Sequence, residues 1–453
     1  MWQFHLVHGY PLKLKPLRRY LFTYGLRRIA MADDLRLRNV AAFFCLGFTF
    51  SYKVLIDSAM QDILSGSAIP STVIVVLLAV PYTLLQSIAP WFVYKVSFLI
   101  EWTGVTVLFV ISVGCVSVNL ETIRLIGVVL NGSAIGLTSA LTMAMIAKFP
   151  KLDVLTSVYR TGAGAGGLAF NLIYTGLTTW TCTSPQVASI CSIPFCCLPL
   201  LSYWLLDKRP LQESDSYSGV KYTKVDEKES QNNNLSSQVG DTRSRAVVAL
   251  LYAICPLAGY LYLSKLSKSI CLSALLTSVA FPNAPFLPRD HFQYYHLLFS
   301  CARLLGGAGP IVTSRSHPDL QEFFKIRRMW ILAVLDVVPI FLFLLTSWYR
   351  FITDYRIIFV ICFAHGIVSG MMAVFAVIAT ADHFGAREKK GIAMGLVEVS
   401  TPAANLVAGI VGAVIEPLLK EHCTEDLLLG AYCSTRFASA TQWAKNLHCT
   451  RNK

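Results

Sequence analysis

The chain has 453 residues, of which 55% are hydrophobic and only 14% charged, and its formal net charge is +13. Soluble domains carry about a quarter charged residues, so an ordinary water-soluble fold is excluded and the apolar excess has to face lipid. Nucleic-acid binding is a poor explanation of the basic surplus, because six of the positive charges (Lys13, Lys15, Arg18, Arg19, Arg27 and Arg28) sit in an acid-free stretch of the first 30 residues.

That stretch has no apolar core of about 7 to 15 residues before a small-residue cleavage site, so it does not read as a secretory signal. It is basic and acid-poor, as a transit peptide is. The preferred reading is a basic cytosolic N-terminal segment, residues 1–38, in which Met31 opens a second plausible start, MADDLRLRN.

Windows of about 20 apolar residues then predict eleven membrane spans. They begin near Asn39, Thr72, Phe98, Thr122, Asp153, Gln186, Ala246, Phe292, Met329, Tyr355 and Gly391. The first six make an N-terminal half, residues 39–206, and the last five a C-terminal half, residues 246–419, followed by a tail, residues 420–453. Between the halves, residues 207–245 hold seven basic and seven acidic side chains in polar filler, the composition of a disordered cytosolic linker. With a cytosolic N terminus, ten Lys and Arg residues fall in short cytosolic loops and four on the opposite face, as the positive-inside rule requires. Of the 13 cysteines, only Cys182, Cys423, Cys433 and Cys449 then lie outside the cytosol, where disulfides can form.

In the fifth span, Gly162, Gly164 and Gly167 satisfy the GxGxxG pattern of a dinucleotide loop. A dinucleotide site also needs an acid about 20 residues later, and no Asp or Glu occurs between Asp153 and Asp207. The glycines are better read as helix-packing residues. Gly132 with Gly136 in the fourth span and Gly162 with Gly166 in the fifth are small-xxx-small pairs that let backbones approach. Gly366 with Gly370 in the tenth span and Gly391 with Gly395 in the eleventh are their expected counterparts if the halves are related by an axis along the membrane normal.

Charges at bilayer depth are costly, so each is a candidate for a solute or ion pathway. Lys53 and Asp57 share a helical face at i, i+4 and can neutralise each other or receive a zwitterionic or phosphate-bearing solute. Arg160 stands one turn before the glycines, as an anion holder or a membrane-interface anchor. Glu398 and Glu101 have no basic residue at helical spacing and can be protonatable coupling groups or neutral hydrogen-bonded acids. His365, His296 and Arg303 are weaker candidates, while Asp336 and Lys265 carry no assigned role. No nucleophile with a base, metal cluster or phosphate loop is present in the sequence, so neither an enzyme nor a cofactor is expected.

Several motifs resemble the battenin family of lysosomal membrane proteins, linked to juvenile neuronal ceroid lipofuscinosis. They are Phe50-Ser51-Tyr52 followed by Asp62-Ile63-Leu64, Gly136-Leu137 leading to Phe149-Pro150, and the glycine-rich run ending Tyr174 to Thr178 with Ser184-Pro185-Gln186 after it. Tyr294-Tyr295, Arg387-Glu388, Ala393-Met394 and Gly409 with Gly412 extend the likeness to about Cys423. The resemblance implies an all-α, major-facilitator-like bundle in lysosomal or late endosomal membranes. It further implies roles in lysosomal pH, glycerophosphodiester clearance, basic amino acid transport and autophagy, with protons and lysosomal trafficking or proton-pump proteins as partners. Departures mark a divergent paralogue: Ser139 and His365 stand where the family has acids, the acid near Thr401 is missing with Glu398 one turn earlier, and Arg160 replaces a small polar residue. A pathway through Lys53, Asp57, Arg160, His365 and Glu398, lined by the first, fourth, fifth, seventh, tenth and eleventh spans, is the expected site. A non-transporting scaffold and a nucleoside-type transporter are the alternatives.

Overall fold

A computed structural model of the chain describes residues 37–89, 96–149, 152–209, 233–316, 328–383, 387–436 and 443–445. Helix is the only extended secondary structure among them, and it comes in eleven spans. The first span is α1 (Leu37–Phe50) and α2 (Tyr52–Ile63), broken at Ser51. There follow α3 (Thr72–Ile88), α4 (Phe98–Val116), α5 (Glu121–Lys148) and α6 (Leu152–Thr175), then α7 (Pro185–Ile190) and α8 (Leu198–Leu205), which together make the sixth span. The C-terminal five are α9 (Asn233–Ile270), α10 (Pro288–Ser316), α11 (Met329–Tyr349), α12 (Tyr355–His383) and α13 (Arg387–Glu425).

The surface explains the composition. Large apolar side chains such as Ile100, Trp204, Phe341, Val360 and Val414 are more than 60% exposed around the girth of the bundle, where only lipid can cover them. Seven spans are long and apolar enough to cross a membrane by length and composition alone. The second is shorter, at 17 residues. The fifth, seventh and eighth spans, outside these seven, carry the charged Arg160, Lys265, Lys268 and Arg303. Hydroxyls inside the spans are satisfied locally, as when Thr83, Thr138 and Thr142 donate to the carbonyl four residues back, each at 2.7 Å.

The two halves repeat one packing plan. The first span packs on the fifth as the seventh packs on the eleventh, and the second packs on the fourth as the eighth packs on the tenth. Across the interface the second meets the eleventh and the eighth meets the fifth, the pairings that a pseudo-two-fold axis exchanges. Glycine permits the closest approaches. A Cβ at Gly162 or Gly166 would strike the carbonyls of Phe44 and Phe48, one at Gly132 the carbonyl of Leu78, and one at Gly136 would lie 2.9 Å from that of Tyr82. In the second half, Gly366 and Gly370 press in the same way on Phe299 and Arg303.

Two sequence expectations change here. Gly395 faces open space, so at that position the eleventh span does not repeat the glycine contact of the fifth, and Gly391 lies outside the residues whose surroundings are described. Gly409 and Gly412 are instead the close contacts of α13, against Val76 and Thr72 of the second span, because that helix must seal the interface as well as pack within its own half. Helix α9 also starts at Asn233, inside the stretch expected to be linker. Extending a helix already nucleated by a buried span costs little even for Asn and Ser. The basic N-terminal segment, residues 210–232 of the linker and much of the tail lie outside the described residues.

Candidate functional site

Charged side chains from both halves converge between them. On α2, Lys53 and Asp57 do share a face, yet they do not pair. Asp57 meets Lys268 of α9 at 3.5 Å, joining the first span to the seventh. Lys53 is buried beside the rings of Phe50 and Tyr82, at 5.7 and 5.9 Å from their centroids. This cation–π arrangement leaves the ammonium without a carboxylate of its own. The i, i+4 spacing supplied the shared face; the choice of partner came from the other half.

Arg160 of α6 and Glu398 of α13, both candidates on separate grounds, form an ion pair, with side chains 9% and 2% exposed. Neither has a partner nearby in sequence, so their pairing was legible only from the fold. Arg160 also lines a narrow cavity with Gly164, opposite Arg303 and Leu304 of α10 and Gly370 and Val374 of α12. The cavity is thus walled by the fifth, eighth and tenth spans. The first, seventh and eleventh contribute charged groups around it, and the fourth contributes none of its walls.

Lys53 lies within electrostatic reach of Lys268, Asp57, Arg303 and Arg160, and Lys265 within reach of Arg303, Arg160, Asp336 and Lys53. Five basic side chains (Lys53, Arg160, Lys265, Lys268, Arg303) therefore face three acids (Asp57, Asp336, Glu398), a surplus of two positive charges when each is counted at its formal charge. In a medium of low dielectric such a surplus repels itself strongly unless water or an anion joins it or a lysine gives up its proton. His365 meets this cluster through Asp336 and lies within electrostatic reach of Lys268 and Lys265. Its Nε2 lies 3.3 Å from Asp336 and 3.4 Å from the Ser267 hydroxyl, with Phe299 edge-on, so its partners all belong to the C-terminal half. Glu101 sits on the third span, apart from the cluster.

A second constellation, at the face where α2 turns into α3, escaped the sequence reading. Asp62 accepts from Arg289 Nε at 3.1 Å and from the Tyr174 hydroxyl at 2.7 Å, and a second Arg289 nitrogen closes a fork on the same carboxylate. Arg289 also reaches Thr179 at 2.9 Å, and Gln293 donates to the Ser58 carbonyl at 2.9 Å. Glu416 of α13 accepts from Ser71 Oγ at 2.6 Å and from the Thr72 amide at 3.2 Å. All but the Tyr174 bond, which lies within the N-terminal half, tie one half to the other and close this face. Asp62 and Glu416 could have been flagged by the rule that marked Glu398, an acid inside an apolar run.

Comparisons with known proteins agree with this architecture. The family profile described as CLN3 protein matches residues 41–249 and 242–422. Protein BTN1 of Yarrowia lipolytica is 24% identical over 403 residues, covering 85% of this chain and 95% of its own. Battenin of Canis lupus familiaris is 24% identical over 253 residues, 54% of each chain. Among solved structures, the major facilitator superfamily proton:xylose symporter XylE aligns with TM-score 0.55 at 13% identity, covering 91% of this chain and 93% of its own. A bacterial homologue of the human lysosomal transporter Spinster, in an inward-facing and unoccupied conformation, aligns with TM-score 0.55 at 11% identity, covering 91% and 92%. At such identities the likeness is one of fold: a multi-pass, all-α, major-facilitator-like bundle of about eleven membrane helices in two pseudo-symmetric halves.

Proposed function

Because the chain belongs to the CLN3 protein family, we propose that it is a solute transporter of lysosomal or late endosomal membranes that carries a small phosphate-bearing anion, of the glycerophosphodiester type, between lumen and cytosol. The observation that carries this reading is the convergence of five basic side chains on three acids around the cavity between the halves, a formal surplus of two positive charges. A phosphodiester monoanion relieves that surplus and suits the planar donors of Arg160 and Arg303. A basic amino acid would add to it, so arginine efflux is the weaker assignment for this member of the family. Lys53, Asp57, Arg160 and Glu398 are the pathway residues in this reading, joined by Arg303 and Lys268; His365 supports the C-terminal half from within.

Roles in lysosomal pH and autophagy follow from the same reading, since moving a charged solute across an acidifying membrane requires a compensating ion, for which protons are the abundant choice. A cytosolic N terminus fits the lysine and arginine distribution. It also fits the Cys423–Cys433 disulfide at the end of the eleventh span and the disulfide-bonded Cys182 after the fifth, both on the face that would be the oxidising lumen.

The test is a flux panel. Proteoliposomes with an acidic interior are loaded with a glycerophosphodiester, arginine or uridine, and wild type is compared with Asp57→Ala and Glu398→Ala. Glycerophosphodiester flux that both substitutions reduce is the expected result. Correctly inserted protein that moves none of the three would replace the transport reading with a scaffold for trafficking or acidification machinery.

A further inference from the structure

The chain after the eleventh span folds back across the closed face. It is anchored to the C-terminal half in three ways. Cys433 is disulfide-bonded to Cys423 at the end of α13. Thr435 donates from its amide and its hydroxyl to the Thr277 carbonyl at 2.9 and 3.0 Å. Arg350, in the turn after α11, donates to the carbonyls of Ser278 at 2.6 Å and Tyr432 at 3.5 Å.

The next residue reaches the other half. Arg436 donates to Gln61 Oε1 at 3.2 Å, to the carbonyls of Ser67 and Ile69 at 3.1 and 2.6 Å, and to Ser71 Oγ at 2.7 Å. One guanidinium thereby satisfies four acceptors at the end of the first span and the start of the second, while Glu416 lies 3.6 Å from it on α13. Burial pushes the arginine's pKa down from its ordinary value, and Glu416 and Glu121 oppose that. Farther along, Trp443 is fully buried in the core of the N-terminal half beneath Arg124, whose guanidinium carbon lies 5.0 Å from the ring centre.

We infer that residues Cys433–Arg436 are a clasp, built on the C-terminal half, that holds the N-terminal half against it and must let go of the Gln61–Ser71 segment before this face can open. Alternation between two access states, the premise taken from the transport reading, needs that segment to part from Glu416 and the tail. A disulfide tether keeps the clasp in place when its arginine releases, so it can re-engage without a search. The grip is directional: backbone carbonyls of a turn are acceptors only, and among the described residues the fork of Arg436 is the side chain that donates to both Ser67 and Ile69.

The experiment uses the full chain in proteoliposomes, with Thr175→Cys as a reporter buried at the Gln293 contact between the halves. A membrane-impermeant maleimide is applied from the side that carries the tail, and labelling by the native cysteines is subtracted with the parent chain. Each charge-assisted bond lost corresponds to about tenfold or more in an equilibrium, so Arg436→Ala is expected to speed labelling of Cys at position 175 by at least about tenfold. Arg436→Lys, which keeps the charge but not the fork, falls between, and Trp443→Ala, which leaves Arg436 untouched, also speeds it. Unchanged labelling in folded Arg436→Ala protein overturns the inference. Should that variant fail to fold, unchanged labelling in both Arg436→Lys and Trp443→Ala overturns it equally. Faster labelling with no solute flux in any variant would leave the clasp standing and refute transport.

Discussion

Glu398→Gln tests whether Arg160 is held in reserve for an anion. Both side chains are buried, 9% and 2% exposed, and the change keeps the shape of residue 398 while deleting its charge. Removing one partner of a buried ion pair costs about 3–5 kcal/mol because the other charge is left uncompensated. At about 2.1 cal/mol/K of unfolding entropy per residue, a loss of 3 kcal/mol over a chain of 453 residues lowers the unfolding midpoint by about 3 °C. The surplus around the cavity then rises from two positive charges to three, so a phosphate-bearing solute should bind more tightly than to wild type. At about 100 times its dissociation constant a bound solute returns about 2.7 kcal/mol, close to the whole loss. Thermal unfolding of the purified protein in detergent, with and without a glycerophosphodiester, reads both effects, and arginine is the control that should give no recovery. A midpoint equal to wild type would show that the pair contributes nothing. Recovery by arginine as large as by the phosphodiester would refute the charge argument itself.

Gly370→Val drives a side chain into the Arg303 carbonyl and should destabilise by at least about 1–3 kcal/mol, whereas Gly395→Ala, in open space on a helix, should be neutral or stabilising by up to about 1 kcal/mol. Thermal midpoints of the two variants decide it, and equal losses would mean that the glycine contacts are wrongly placed. Under denaturing, non-reducing conditions Cys423 and Cys433 should resist alkylation until a reductant is added, while the nine free cysteines, Cys45 among them, react at once; mass spectrometry of the modified peptides shows which behave so.

The eleven spans, their order and the division into halves were legible because lipid imposes length and apolarity on every crossing, and those are properties of the local sequence. The small-xxx-small pairs at Gly162 with Gly166 and Gly366 with Gly370 were legible for a similar reason, since helical spacing alone puts both residues on one face. What they would pack against was not. Gly395 satisfies the same spacing and touches nothing, because which face of a helix meets a neighbour depends on the rest of the bundle. Pairing of charges failed in the same way. Lys53 and Asp57 were matched by proximity in sequence, yet Asp57 is claimed by Lys268 from the opposite half and Lys53 by aromatic rings. Asp62 and Arg289 come from different halves and meet only in the folded bundle, so no local spacing pairs them.

The failure of the glycine repeat in the eleventh span bears on how the molecule works. Under the pseudo-two-fold axis the fifth span maps on the eleventh, so Gly162 with Gly166 should find its counterpart in Gly391 with Gly395. The fifth span packs rigidly on the first through those glycines, locking Arg160 to the N-terminal half. The eleventh instead spends its close contacts, Gly409 and Gly412, on the second span across the interface, and presents Glu398 to Arg160 from the other side of the cavity. The two symmetry-related helices are therefore joined by one ion pair rather than by matched backbone grooves. Backbone contact at a glycine is short-ranged and all-or-none, whereas an ion pair weakens gradually with distance and can be replaced by a bound anion. At the cavity, then, the contact between the halves is the easily broken one, while Gly162 and Gly166 hold the fifth span firmly to its own half, an arrangement that lets a solute separate the two bodies there.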